Sequence, residues 1–120
     1  MKTKVVSLNK NTVFKRLYYR GRSVSHSAVV LYFMKNNRES DIIRLGITVS
    51  KKLGKAVKRN RIRRLLREAF RAHEANVVPG YNIVIVARFA CLGKSYAELS
   101  RTVKLLLSKA KLLEEFGRPL

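Results

Sequence analysis

The spacing of hydrophobic residues switches repeatedly between helical and extended periods along this chain. Val13, Phe14, Leu17 and Tyr18 fall at helical spacing, with Asn11 placed as an N-cap and Gly21 as a C-terminal stop. Residues 28–34 form an apolar run rich in β-branched and aromatic side chains, which predicts a strand. A polar, turn-like stretch follows over 35–41. Residues 44–50 then alternate: Leu45, Ile47 and Val49 fall on one face, and Arg44, Gly46, Thr48 and Ser50 on the other. That period predicts a second strand, paired with the first as a hairpin. Ile62, Leu65, Leu66, Ala69 and Phe70 make one apolar stripe of a helix over 58–72. Pro79-Gly80 punctuates the chain, and 81–88 reads as a strand apolar enough to be central. Ser95-Tyr96-Ala97-Glu98 is a capping-box pattern. It opens a long helix with core positions Tyr96, Leu99, Val103, Leu106, Leu107, Ala110 and Leu113.

The expected order is helix, strand, strand, helix, strand, helix. Helices packed on a small mixed sheet give an α+β fold, a two-layer α/β sandwich. One domain spans 1–120, with loose ends at about 1–7 and 115–120. If the strands flanking the helix at 58–72 are parallel, the general rule makes that crossover right-handed.

Charge sharpens this outline. The chain carries 27 Lys and Arg against 7 Asp and Glu, a formal net charge of +20. Such a surplus repels itself, so anions should stabilise the fold by linkage. Much of it is concentrated from Lys51 to Arg71, where the pattern favours a polyanion over a merely solvated surface. Cys91 is a lone cysteine between Ala90 and Leu92, which excludes an internal disulfide and fits a buried, inert thiol in a reducing, cytoplasmic setting. No signal-peptide core is visible over residues 1–8, and no apolar run is long enough to span a bilayer.

The basic segment holds two kinds of anion donor. Arg59, Arg61, Arg63, Arg64 and Arg67, with Asn60 among them, project from a helix, and guanidinium groups grip phosphates in bidentate fashion. Lys51, Lys52 and Lys55 precede that helix as point charges in a turn that Gly54 can bend. The free N–H groups of the helix start add to the same site.

An intrinsic catalytic centre finds little support. The seven acids, Glu39, Asp41, Glu68, Glu74, Glu98, Glu114 and Glu115, form no close carboxylate cluster along the sequence. His26 and His73 lack metal-ligand spacing, and Gly54-Lys55 lacks the upstream glycine of a P-loop. No catalytic residue and no metal ligand is therefore assigned. Phe14, Tyr18 and Tyr32 are either core residues or platforms on which unpaired bases stack, beside Thr48 and Ser50.

At these residues the chain resembles the bacterial ribonuclease P protein family. The resemblance is carried by Arg44-x-Gly46-Ile47-x-Val49-Ser50-Lys51-Lys52-x-Gly54-x-Ala56-Val57-x-Arg59-Asn60-Arg61-x-x-Arg64-x-x-Arg67, with Asn11-x-x-Phe14-x-x-x-Tyr18-x-x-Gly21 and Leu31-Tyr32 in support. It implies a left-handed βαβ crossover, against the general rule. It also implies removal of 5′ leaders from precursor tRNA by a catalytic RNA partner, with Mg²⁺ bound mainly by that RNA. Lys52, Arg59, Asn60, Arg61, Arg64 and Arg67 would then face the catalytic RNA, with Lys51, Lys55 and Arg63 as auxiliaries. Phe14, Tyr18 and Tyr32, with Thr48 and Ser50 nearby, would hold the leader. Tyr18 stands where the family often has Phe. No obligate protein partner is implied. The competing readings are a ribosomal protein or assembly factor, a DNA-binding protein with a recognition helix, and, last, a protein-only nuclease.

Overall fold

The computed structural model describes residues 4–8, 10–36 and 41–114. In chain order the elements are β1 (Lys4–Ser7), α1 (Asn11–Arg20), β2 (Arg22–Ser25), β3 (Val29–Lys35), β4 (Ile42–Thr48), α2 (Ala56–Arg71), β5 (Tyr81–Ala87) and α3 (Tyr96–Lys109). Three short 3₁₀ turns, Lys51–Leu53, Glu74–Asn76 and Phe89–Cys91, join them. The strands form one mixed sheet in the order β1-β4-β5-β3-β2.

The α+β class is as expected, and 81–88 does supply the central strand. Two strands and one pairing differ. β1 pairs in parallel with β4, Val5 opposite Ile43, so the expected loose start does not extend to Lys4–Ser7. β2 pairs antiparallel with β3, Val24 opposite Leu31. Neither edge strand is legible from periodicity, because each has four residues and little apolar surface. β3 and β4 are not a hairpin: β5 lies between them, antiparallel to β3 and parallel to β4. Burial gives the reason. β5 alone presents buried apolar side chains to both faces, with Ile83 and Ile85 on one and Val84 on the other, and so belongs in the middle. The expected turn residues 37–40, with Glu39, and the expected loose tail 115–120, with Glu115, lie outside the described residues.

The two faces are covered differently. Ile43, Leu31, Phe33, Ile83 and Ile85 meet Ile62, Leu66 and Phe70 of α2 and Leu99, Val103, Leu106 and Leu107 of α3 in the main core. This is the expected sandwich. α1 lies against the opposite face, where Leu17 is buried with Leu8 and Val84 and where Val13, Phe14, Tyr32 and Val86 pack around them. The strict alternation of β4 sets this up: Leu45 and Ile47 pack with the main core, while the Cβ position of Gly46 points at Phe14.

Of the three α-helices described, α3 alone starts on a side-chain cap. α3 has the full capping box: Ser95 Oγ accepts from the Glu98 N–H at 3.2 Å, and Glu98 Oε1 accepts from the Ser95 N–H at 3.0 Å. These bonds, with Lys94 and Arg101 nearby, hold the Glu98 carboxyl below its usual range. Tyr96, expected in the core, is instead 43% exposed, and its hydroxyl donates to the Glu68 carbonyl of α2 at 3.4 Å. Asn11 is the first residue of α1 rather than its cap; Lys10 occupies that position without a side-chain bond.

Candidate nucleic-acid interface

α2 sorts its basic residues by rotation around the helix axis. The buried stripe is Ile62, Leu66, Ala69 and Phe70. Asn60, Arg61, Arg64 and Arg67 are exposed, whereas Arg59 and Arg63 flank the stripe and are half-buried. Arg63 Nη1 donates to Asn60 Oδ1 at 3.0 Å, so Arg63 orients Asn60 and keeps its other guanidinium donors. Arg59 Nε is shielded from solvent and has no hydrogen-bond partner, leaving one donor of the group unmatched. Farther along, Arg71 pairs with Glu68 at 3.2 Å and approaches Glu74 at 3.9 Å. The uncompensated positive face therefore ends near Arg67.

The loop before α2 is shaped by two short-range features. Ser50 Oγ accepts the Lys52 N–H at 3.2 Å and caps the 3₁₀ turn. Gly54 has φ +133°, a conformation that a side chain strains to adopt. Together they turn the chain out of β4 and leave Lys51, Lys52 and Lys55 exposed at the start of α2. The first turn of α2 has no acid and no side-chain cap, so its N–H groups face outward alongside those lysines.

The second candidate surface lies over the other sheet face. Asn11, Phe14, Lys15, Tyr18 and Thr48 line an open cleft of about 350 Å³. The Phe14 and Tyr18 rings are 6.5 Å apart at 43°. Tyr32 stands edge-on to Tyr18, centroids 4.9 Å apart at 81°, and supports it from beneath. The Tyr18 hydroxyl is 3.3 Å from Thr48 Oγ1, which ties α1 to β4 across the cleft floor. With Tyr18 42% exposed, its ring is anchored at two points and still open to a stacking partner.

The residues expected to hold a single strand are thus brought together in part. Phe14, Tyr18 and Thr48 converge on the cleft, and Tyr32 braces it. Ser50 does not line it, because its hydroxyl is engaged in the cap of the following turn. Lys15 and Asn11 do line it, although the sequence pattern assigned them no such role. Their spacing, one residue after Phe14 and three before it, is the signal that places them there. Gly46 belongs to the basic-segment pattern, and its spatial role is different: a Cβ there would fall 2.7 Å from Phe14 Cζ.

The remaining polar candidates have structural duties. His73 Nε2 lies 3.1 Å from both Ser100 O and Ser100 Oγ, pinning the end of α2 to α3. His26 Nδ1 accepts the Ala28 N–H at 3.1 Å. Burial raises the Cys91 thiol above its usual range. Among the described residues no three His, Cys, Asp or Glu side chains gather where a metal ion could sit. No described helix is long and apolar enough to cross a membrane.

A basic helix on one side of a mixed sheet and an aromatic cleft on the other make this a small α+β protein with two separate polar surfaces. The ribonuclease P family model matches residues 2–111, and the chain belongs to that family. The ribonuclease P protein component of Clostridium acetobutylicum is 44% identical over 106 residues, covering 88% of this chain and 89% of its own length. That of Caldanaerobacter subterraneus is 40% identical over 118 residues, covering 98% of this chain and 100% of its own length. Among solved structures, a Staphylococcus aureus RNase P protein mutant with defective mRNA degradation activity superposes with a TM-score of 0.83 at 36% identity, covering 89% of each chain. The Thermotoga maritima RNase P protein gives 0.73 at 28% identity, covering 83% of this chain and 94% of its own length.

Proposed function

We propose that this chain is the protein half of a cytoplasmic ribonucleoprotein in which a partner RNA cuts the 5′ leader from precursor tRNA. The observation that carries the reading is the separation of two surfaces by one sheet. Exposed Asn60, Arg61, Arg64 and Arg67, with Lys51, Lys52 and Lys55 before them, suit a folded RNA backbone. Half-buried Arg59 and Arg63 are adjuncts of that face. Across the sheet, Phe14 and Tyr18 offer ring faces to unpaired bases, Lys15 offers charge to their phosphates, and Thr48 offers a hydroxyl.

In this reading the protein supplies no reacting group. Its part is to bring two polyanions together and screen their repulsion. The Mg²⁺ of the reaction belongs to the RNA, and the protein favours its binding by organising the nearby backbone. A single chain segment, Gly46 to Lys55, runs from the cleft floor into the basic loop, so substrate and catalytic RNA are positioned by one stretch of backbone.

The test is reconstitution of the chain with the catalytic RNA of its own genome. Cleavage at the 5′ end of the mature tRNA, with a lower Mg²⁺ requirement in the presence of the protein, is the expected result. An RNA that cleaves no precursor tRNA, or co-purification with ribosomal RNA alone, would favour a ribosomal or assembly role instead.

A further inference from the structure

At the end of the sheet remote from the cleft, a second concavity of about 410 Å³ opens between the C-termini of α1 and α3. Arg20, Arg22, Lys35 and Lys111 surround it, Phe33 and Tyr81 line it, and none of its described lining residues is acidic. The two rings are 6.4 Å apart at 56°. None of the four cations makes a hydrogen bond or ion pair among the described residues. Cations at helix C-termini commonly answer the helix dipole, and that accounts for Arg20 and Lys111. It does not account for Arg22 and Lys35, which sit on β2 and β3.

Lys111 adds an independent observation. Its φ is +60°, and among described non-glycine residues it alone has positive φ. The bonds Lys111 N–H to Ser108 O at 3.0 Å and Leu112 N–H to Leu107 O at 2.9 Å form the Schellman closure of α3. Glycine is the residue this position favours. A lysine there strains the backbone while placing a cation at the mouth of the concavity.

α1 connects the two sites. Asn11, Phe14, Lys15 and Tyr18 line the cleft, and Arg20 reaches the second concavity. On the sheet, Thr48 is in register with Val86, five residues along β5 from Tyr81, roughly 17 Å at the usual strand rise. Arg22, Lys35 and Tyr81 stand on the α3 face of the sheet, opposite the cleft, so a single strand leaving the cleft along α1 reaches this pocket by passing Arg20 and rounding the end of the sheet.

The geometry points to a second subsite for single-stranded RNA, in which Arg22, Lys35 and Lys111 take the phosphates of leader nucleotides farther from the cleavage point, beside Tyr81. This rests on the cleft reading above. Lys111→Gly removes the cation and relieves the backbone, so a purely structural role predicts only a gain. Arg22→Ala with Lys35→Ala removes two exposed side chains that have no side-chain partner among the described residues. The assay measures binding of precursor tRNA to the reconstituted ribonucleoprotein, with leaders of about 4 and about 12 nucleotides, lengths within the range single-strand grooves cover. Expected are a raised urea midpoint for Lys111→Gly, weaker binding of the long leader only, and a salt slope smaller by about 0.7 for each phosphate no longer held. Unchanged long-leader binding, or equal weakening at both lengths, would overturn the subsite. Phe14→Ala reports separately: it weakens both lengths if the cleft holds the leader, and no effect at either length refutes the cleft reading itself.

Discussion

A methyl group added at Gly46 tests whether the cleft is built around the Phe14 ring. The Cβ of alanine would lie 2.7 Å from Cζ and 2.9 Å from Cε1 of Phe14. Ordinary carbon–carbon contact is about 3.5–4.0 Å, so the ring must retreat by about 1 Å. Phe14 packs on the cluster of Leu8, Leu17 and Val84 and lines the cleft, so its open side is the cleft. Overpacking of this kind costs about 1–3 kcal/mol, offset by roughly 0.5–1 kcal/mol for replacing a strand glycine. Gly46→Ala should therefore fold, at a cost of no more than about 2.5 kcal/mol. A base stacked on an aromatic ring is worth about 1–3 kcal/mol, so a misplaced ring should weaken leader-bearing substrate by about 5- to 150-fold. Binding to precursor tRNA is compared with binding to leaderless tRNA, in wild-type and Phe14→Ala backgrounds. With the ring gone, the methyl has nothing to displace, and its effect on leader binding should vanish. An unaltered leader preference in Gly46→Ala, or the same penalty in both backgrounds, refutes this construction of the cleft.

Other expectations follow from the same geometry. Arg61→Ala or Arg64→Ala should lower the salt slope for binding the partner RNA by about 0.9 per phosphate released, measured by titration at several ionic strengths; an unchanged slope removes that residue from the RNA-facing surface. Arg71→Ala, already paired with Glu68, should change the slope far less in the same titration. Ser95→Ala should cost about 1 kcal/mol in urea unfolding, as for other N-cap serines. Because folding lowers the Glu98 carboxyl from its ordinary 4.5, its contribution is present above that pH and lost as pH falls below it. The wild-type advantage over Ser95→Ala should shrink in acid, and an advantage constant with pH would contradict this. Cys91 should resist alkylation in the folded chain and react on unfolding, read by mass spectrometry across a urea series.

How much of the molecule is legible in its sequence depends on which side chains carry the signal. Helix α2 and strand β4 are legible because each places apolar residues at one strict period and polar residues at the other. The capping box of α3 is legible because its two side chains are local to the bonds they make. β1 and β2 are not, since an edge strand needs only Val5 or Val24 on the core side, and its hydrogen bonds come from backbone. The β3–β5 pairing is hidden for a related reason: neighbours in sequence suggest a hairpin, and only two-sided burial puts β5 between β3 and β4. The cleft is half legible. Phe14, Tyr18 and Tyr32 are visible as aromatics, but that Ser50 turns away to cap Lys52, and that Gly46 makes room for Phe14, are matters of three-dimensional packing.

The central claim is that one sheet keeps two RNA surfaces apart. Its most direct test is a crosslinking map of the reconstituted ribonucleoprotein with precursor tRNA bound, using a photoreactive group at position 18 or at position 64. The account predicts that position 18 labels the 5′ leader and position 64 labels the catalytic RNA. Labelling of the same RNA strand from both positions would contradict it.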